Sequence, residues 1–192
     1  MFDRLKASLD RLLPLTQEEF IHFVMLLKPR RLTKNEHFLR AGEICTHLAF
    51  INLGCLRYYY LKDGEEFNGQ FFFEGAWVGE YQSFLTGQPA VQYFNALEDT
   101  ELLVMHRSDL QQLYADVPKF ERFGRVLAEN VVIGSQHRTA SLLFETPEER
   151  YLKLLKERPK VMERVPLHHI ASYLGIKPES LSRIRKRIAE NR

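Results

Sequence analysis

Leu5, Leu9, Leu12 and Leu13 recur at helical spacing near the start of the chain, which predicts an amphipathic helix with one apolar stripe. Pro14 breaks that run. Thr16-Gln-Glu-Glu19 then predicts a second helix opening on a capping box, in which hydroxyl and carboxylate each satisfy an orphan backbone N–H. Helix is expected across 3–28. From about residue 30 the period shortens. The stretch from His37 to Tyr81 is dense in Phe, Tyr, Ile and Leu and is cut by glycines at 42, 54, 64, 69, 75 and 79. Short apolar runs between such turn signals predict an antiparallel sandwich or barrel, with Asp63-Gly64 a hairpin turn. Two more strands are expected at Gln92–Leu97 and Thr100–His106.

From Arg107 the helical period returns. Ser108–Ala115 predicts a short helix, and Lys119–Phe144, free of proline, a helix of about seven turns. Its apolar residues Phe120, Phe123, Val126, Leu127, Val131 and Ile133 occupy more than one face. A helix that covers a β-domain and still has an apolar stripe left over predicts a helix–helix contact with a second subunit. Thr146-Pro147 ends that helix. Another follows at Glu148–Glu157, with Tyr151, Leu152, Leu154 and Leu155 as its apolar set.

The C-terminal stretch changes the picture most. Pro166 suits a first helical position, and Leu167, Ile170, Ala171 and Leu174 follow at helical spacing. Gly175 can take the positive φ that ends a helix. Pro178 and Glu179 suit the first turn of the next. There Leu181, Ile184 and Ile188 form one face, while Glu179, Ser180, Ser182, Arg183, Lys186 and Arg187 lie outside it. Two short helices about a glycine turn, the second basic, are the helix-turn-helix pattern. Such a second helix presents side chains to base edges in the major groove. Arg183 can donate twice to guanine, and Glu179, four residues before it, can accept from cytosine and orient it. Lys177, Arg185, Lys186 and Arg187 are expected to meet phosphates.

Charge supports this. Residues 145–192 carry 12 Lys/Arg against 7 Asp/Glu, whereas residues 1–144 carry 15 against 18. An acidic body and a basic head predict a polyanion partner. No apolar run reaches the roughly 18 residues of a membrane span, and the opening "MFDRLKASLDRLLPL" lacks a signal peptide's apolar core. A cytoplasmic protein is expected, so Cys45 and Cys55 are expected as thiols.

In this order the pieces resemble the Crp/Fnr family of bacterial transcription regulators, over about residues 20–190. "RAGEICTHLAFINLGCLRYYYLKDGEEFNGQFFFEGAWVGEY" looks like the family's cyclic-nucleotide-binding β-roll, and "HIASYLGIKPESLSRIRKRI" is similar to its recognition unit. The resemblance implies an α+β protein. Residues 1–117 would be an eight-stranded jelly-roll sensor, 118–145 a dimerisation helix, and 146–192 a winged-helix-type DNA-binding domain. Because few residues follow Ile188, the wing is expected to be reduced or missing. The resemblance places Glu179 and Arg183 at base-contacting positions and Ser180 where the recognition helix docks. It puts Pro178 where many members carry an arginine.

The resemblance also tests the effector pocket. Gly79-Glu80 match the pair whose glutamate takes the ribose in cyclic-nucleotide binders. Ten residues on, where an arginine followed by Ser or Thr holds the phosphate, stand Ala90 and Val91. Ser135 and Gln136 stand where members contact the base. Residues 63–106 contain no Lys or Arg, yet hold Glu65, Glu66, Glu74, Glu80, Glu98, Asp99 and Glu101, with Asp63 besides. The expectation is a degenerate pocket that does not take cAMP.

No cofactor and no metal site is expected, since His37, His47 and His106 are isolated singles and His168-His169 point to different faces. The chain is read as a non-enzymatic homodimer that binds a palindromic duplex, with RNA polymerase a further candidate partner and the effector, if any, unidentified. The alternative is a small-molecule-binding or cupin-like β-roll protein whose basic C-terminal domain mediates other interactions.

Overall fold

The computed structural model describes residues 2–190. They form two compact units. The first takes the chain up to Tyr58 together with Phe71–Val132. The second takes Tyr59–Gln70 together with the chain from Ile133 on.

The first unit opens with α1 (Asp3–Asp10) and α2 (Gln17–Met25). The capping box of α2 forms as its sequence dictates: Glu19 N–H donates to the Thr16 hydroxyl at 3.3 Å, and Thr16 N–H to the Glu19 carboxylate at 2.7 Å. The Lys119 ammonium beside that carboxylate, and then the Thr16 N–H, hold it below the usual 4.5. Eight strands follow among the described residues: β1 (Lys28–Leu32), β2 (His37–Leu39), β3 (His47–Leu53), β4 (Leu56–Lys62), β5 (Glu65–Phe72), β6 (Trp77–Val78), β7 (Tyr93–Ala96) and β8 (Thr100–His106). α3 (Tyr81–Thr86) sits between β6 and β7, and α4 (Arg107–Asp116) follows β8.

The strands make two four-stranded sheets, β1-β8-β3-β6 and β2-β7-β4-β5. β8 pairs antiparallel with β1 from Lys28↔Val104 to Leu32↔Thr100, and with β3 from His47↔His106. One apolar core draws from both sheets, with Leu48, Phe50, Leu102 and Leu103 from the first and Phe38, Leu56 and Phe94 from the second. This is the expected jelly roll. At the β3–β4 turn Gly54 has φ +103°, and a Cβ there would lie 2.4 Å from Thr100 Oγ1. Only glycine lets β3 turn so close to the start of β8.

α5 (Glu121–Phe144) begins in an aromatic cluster. Phe23 of α2 stacks on Phe120 and meets Phe123 edge-on, each at 5.4 Å, while Trp77 lies 5.0 Å from Phe123. Phe123 and Leu127 are the buried residues of the helix. Farther along, Val132 is 55%, Leu143 71% and Phe144 83% exposed. These apolar side chains are left open to solvent in the single chain.

Some elements differ from the sequence reading. The helical reading of 3–28 stops at Met25, because Lys28–Leu32 pairs with β8. That strand, KPRRL, buries only Leu32. As the sheet's edge strand it is held by its backbone, so no apolar alternation announces it. α3, capped by Glu80 and closed by Gly87 at φ +73°, is too short for a periodic signal.

The second unit contains α6 (Pro147–Glu157), α7 (Pro159–Arg164), α8 (Leu167–Tyr173) and α9 (Pro178–Glu190). α6 opens on a second capping box, Thr146 with Glu149, which draws the Glu149 carboxyl below 4.5 through the Thr146 N–H. Pro147 holds the first helical position. Pro166 does not. Its ψ of 139° makes it the residue before α8, correcting the position expected of it. The β4–β5 hairpin tip also belongs to this unit. It turns on Asp63 (φ +52°) and Gly64 (φ +80°), as a two-residue left-handed turn requires.

Candidate nucleic-acid interface

The turn between α8 and α9 is built by its backbone. Ile176 N–H donates to Ala171 C=O and Gly175 N–H to Ser172 C=O, both at 3.0 Å. With Gly175 at φ +71°, this is the Schellman arrangement that ends a helix and redirects the chain. Ile170, Ala171 and Leu174 of α8 and Leu181 and Ile184 of α9 are buried. These five residues of the apolar faces marked by helical spacing hold the two helices together, whereas Leu167 is exposed at the start of α8 and Ile188 is half-buried.

The candidate reading residues occupy the remaining surface. Lys177, Pro178, Glu179, Ser182, Arg183, Lys186 and Arg187 are exposed, and Ser180 is half-buried. Arg183 Nη2 donates to the Ser180 hydroxyl at 3.3 Å. Arg183 does not pair with Glu179, contrary to the spacing argument, because Ser180 lies nearer along the same turn. Ser182 donates to Pro178 C=O at 3.1 Å, spending its hydroxyl on the helix itself. Lys186 is loosely paired with Glu190 at 3.8 Å, and Arg187 forms an ion pair with Glu148 of α6. A phosphate would have to displace Glu148 from Arg187, whereas Lys177 and Arg185 present exposed side chains to it.

Sequence reasoning missed the arginines that anchor this unit. Arg150 of α6 is buried. Its Nε and Nη2 donate to Leu174 C=O at 3.1 and 2.8 Å, and its Nη1 to Ser141 C=O at 3.2 Å and to Glu145 C=O. Arg138 of α5 donates to Tyr173 C=O and lies 4.1 Å from the Tyr173 ring centroid. Two guanidinium groups thus satisfy the carbonyls that α8 leaves open at its C-terminus, where cations are favoured. A lone arginine in a helical sequence gives no sign that it folds inward.

The effector-pocket residues divide between the two units. In the first, Glu80 is 4% exposed, and its carboxylate accepts from Ser83 N–H at 2.5 Å as the cap of α3. A ribose hydroxyl would have to compete with that bond. A Cβ on Gly79 would meet Leu48 Cδ2 at 2.7 Å, so this glycine is required by packing. Ala90 is buried, its N–H donating to Glu43 C=O and its C=O accepting from Gly42 N–H. Val91 is exposed, and neither side chain offers a donor. In the second unit Ser135 and Gln136 are exposed on α5. The acidic stretch 63–106 stops short of Arg57, a buried cation on β4 whose Nε donates to Asn95 Oδ1 at 2.8 Å. Cys45 and Cys55 are buried and form no disulfide, and burial pushes the Cys45 thiol up. Among the described residues no cluster of three or more His, Cys, Asp or Glu could hold a metal ion. No helix there is long and apolar enough to cross a membrane.

Residues 29–117 match the family model of the cyclic nucleotide-binding domain. No curated protein matches the chain. Solved structures share its fold. The c-di-GMP-responsive global regulator CLP of Xanthomonas campestris is 19% identical, with 92% of this chain and 93% of that one covered at a TM-score of 0.74. A transcriptional regulator of the Crp/Fnr family from Eubacterium rectale is 16% identical, with 92% and 85% covered at 0.71. The catabolite activator protein of Thermus thermophilus is 22% identical, with 92% and 85% covered at 0.57. The Crp/Fnr resemblance read from the sequence therefore holds for the fold, from the β-roll through α9.

Proposed function

We propose that the protein is a Crp/Fnr-type transcription regulator, a cytoplasmic homodimer and not an enzyme, that reads a palindromic duplex through α9. Residues 1–117 act as the sensor, 118–145 pair the subunits, and 146–192 read DNA. The observation that carries the reading is the α8–α9 pair. Ile170, Ala171, Leu174, Leu181 and Ile184 are consumed by packing while Glu179, Arg183, Lys186 and Lys177 stay exposed on one basic helix and its leading turn. Selection from random duplex DNA at about 150 mM salt tests it, salt being stated because phosphate contacts make affinity salt-dependent. The expected result is an enriched palindrome with half-sites about one helical turn apart. A folded, dimeric protein that enriches nothing, with or without cell extract, sinks the reading.

The sensor is a degenerate one that does not take cAMP, a reading supported by the buried, capping Glu80 and by Ala90 and Val91 in place of an anion's partners.

Dimerisation through α5 has its own test. Val132 and Leu143 stand about three turns apart on one face of the helix, and both are exposed in the single chain. Changing both to glutamate places unpaired carboxylates in the subunit contact. The dimer is then expected to weaken at least about a hundredfold, and light scattering to fall from twice 22.6 kDa to 22.6 kDa. A variant that remains fully dimeric places the contact elsewhere.

A further inference from the structure

The second unit contains a contact that a reading helix does not need. The β4–β5 hairpin tip grips α8 at Ser172, the residue before the two carbonyls held by Arg138 and Arg150. Asn68 N–H donates to Ser172 Oγ at 3.0 Å, and Ser172 Oγ donates to Glu66 C=O at 2.5 Å. Beside this bridge His169 Nδ1 stands 3.9 Å from the Glu66 carboxylate, and the Arg158 guanidinium donates to the Gln70 side chain. One hydroxyl therefore satisfies a backbone donor and a backbone acceptor two residues apart on β5, which fixes the register of α8 against that strand. Helix packing does not call for this. α8 is held in its own unit by Ile170, Ala171 and Leu174, all fully buried, while Ser172 is only partly so.

We propose that the hairpin tip is a brace that holds α8, and through the Schellman turn α9, in the pose that reads DNA. Ser172 is its positioning residue. The inference rests on the DNA-reading function proposed above. The contact leaves Glu179 and Arg183 exposed, so it supports the reading face and does not cover it.

Full-length Ser172→Ala and Ser172→Thr test the brace against the wild type. Two readouts are used: hydrogen exchange of the Asn68 amide, and affinity for the selected palindrome and for a scrambled duplex at one salt concentration. Ser172→Ala is expected to lose protection at Asn68 and to bind the palindrome about tenfold more weakly, the scrambled duplex staying within about twofold. Ser172→Thr keeps the hydroxyl and is expected to retain both properties. Unchanged exchange at Asn68 in Ser172→Ala overturns the contact. Lost protection with palindrome affinity intact overturns the positioning role. Equal losses on palindrome and scrambled DNA make Ser172 merely structural. A wild type that prefers no sequence removes the DNA reading itself and the brace with it, an outcome distinct from one in which only the alanine variant fails.

Discussion

Arg183→Ala is expected to leave a protein that still binds duplex DNA but no longer prefers one sequence. Arg183 is exposed, and its guanidinium is engaged by the Ser180 hydroxyl at 3.3 Å, a neutral partner that a guanine edge can replace. An arginine that donates two hydrogen bonds to guanine O6 and N7 discriminates against other bases by about 1–3 kcal/mol. A dimer places two such arginines, so the palindrome should lose between about thirtyfold and twenty-thousandfold while the scrambled duplex stays nearly unchanged. The salt slope should also be unchanged, because every phosphate stays neutralised as before. Lys186→Ala is the contrast. Its loosely paired ammonium predicts weaker binding to every sequence alike, with a salt slope lower by about 0.9 for each phosphate that is no longer neutralised. Anisotropy titrations of both duplexes across a salt series separate the two. Equal losses on both duplexes, with a reduced slope for Arg183→Ala, would make Arg183 a phosphate ligand instead.

What the sequence disclosed follows the strength of its physical signals. The turn at Gly175, the capping box at Thr16 and the Asp63-Gly64 hairpin depend on local backbone needs that only a few residue types satisfy, and each formed where those residues stand. The capping box at Thr146 obeys the same chemistry, but there Pro147 marks the break first and hides it. Seven of the eight described strands were legible as a class because buried strands are dense in apolar residues. β1 was not, because an edge strand needs no apolar face. The exposed polar face of α9 was legible because amphipathicity divides a helix without knowledge of its partner. Long-range roles of polar residues were not. Arg150 stands in a polar stretch of α6, Ser172 in a short helix, and Arg57 in a strand of tyrosines. Their partners lie far along the chain, where no spacing rule reaches. The Glu179–Arg183 pair shows the converse. Helical spacing brought the two within reach, and a nearer hydroxyl took the guanidinium.

The largest expected loss of stability is at one of those unanticipated residues. Arg150 is 8% exposed, and its guanidinium donates to carbonyls at the end of α5, Ser141 and Glu145, and to Leu174 at the end of α8. The Ser141 carbonyl also accepts from Glu145 N–H, but the Glu145 and Leu174 carbonyls lie past the last turn of their helices, where the ladder supplies no donor. Hydrogen bonds to a charged group contribute about 1.5–3 kcal/mol each, and a buried acceptor stripped of its partner bears its full desolvation. Arg150→Ala is therefore expected to destabilise the C-terminal unit by about 3 kcal/mol or more, lowering its melting temperature by more than about 10 °C. Arg150→Lys should recover less than half of this, since one ammonium cannot reproduce a planar fork that meets carbonyls on two sides. Hydrogen exchange localises the effect: the Gly175 and Ile176 amides, which close the turn, should lose protection, while those of β3 and β8 keep theirs. If the lysine variant is as stable as the wild type, the fork geometry is not what holds the turn, and a single positive charge at the end of α8 suffices.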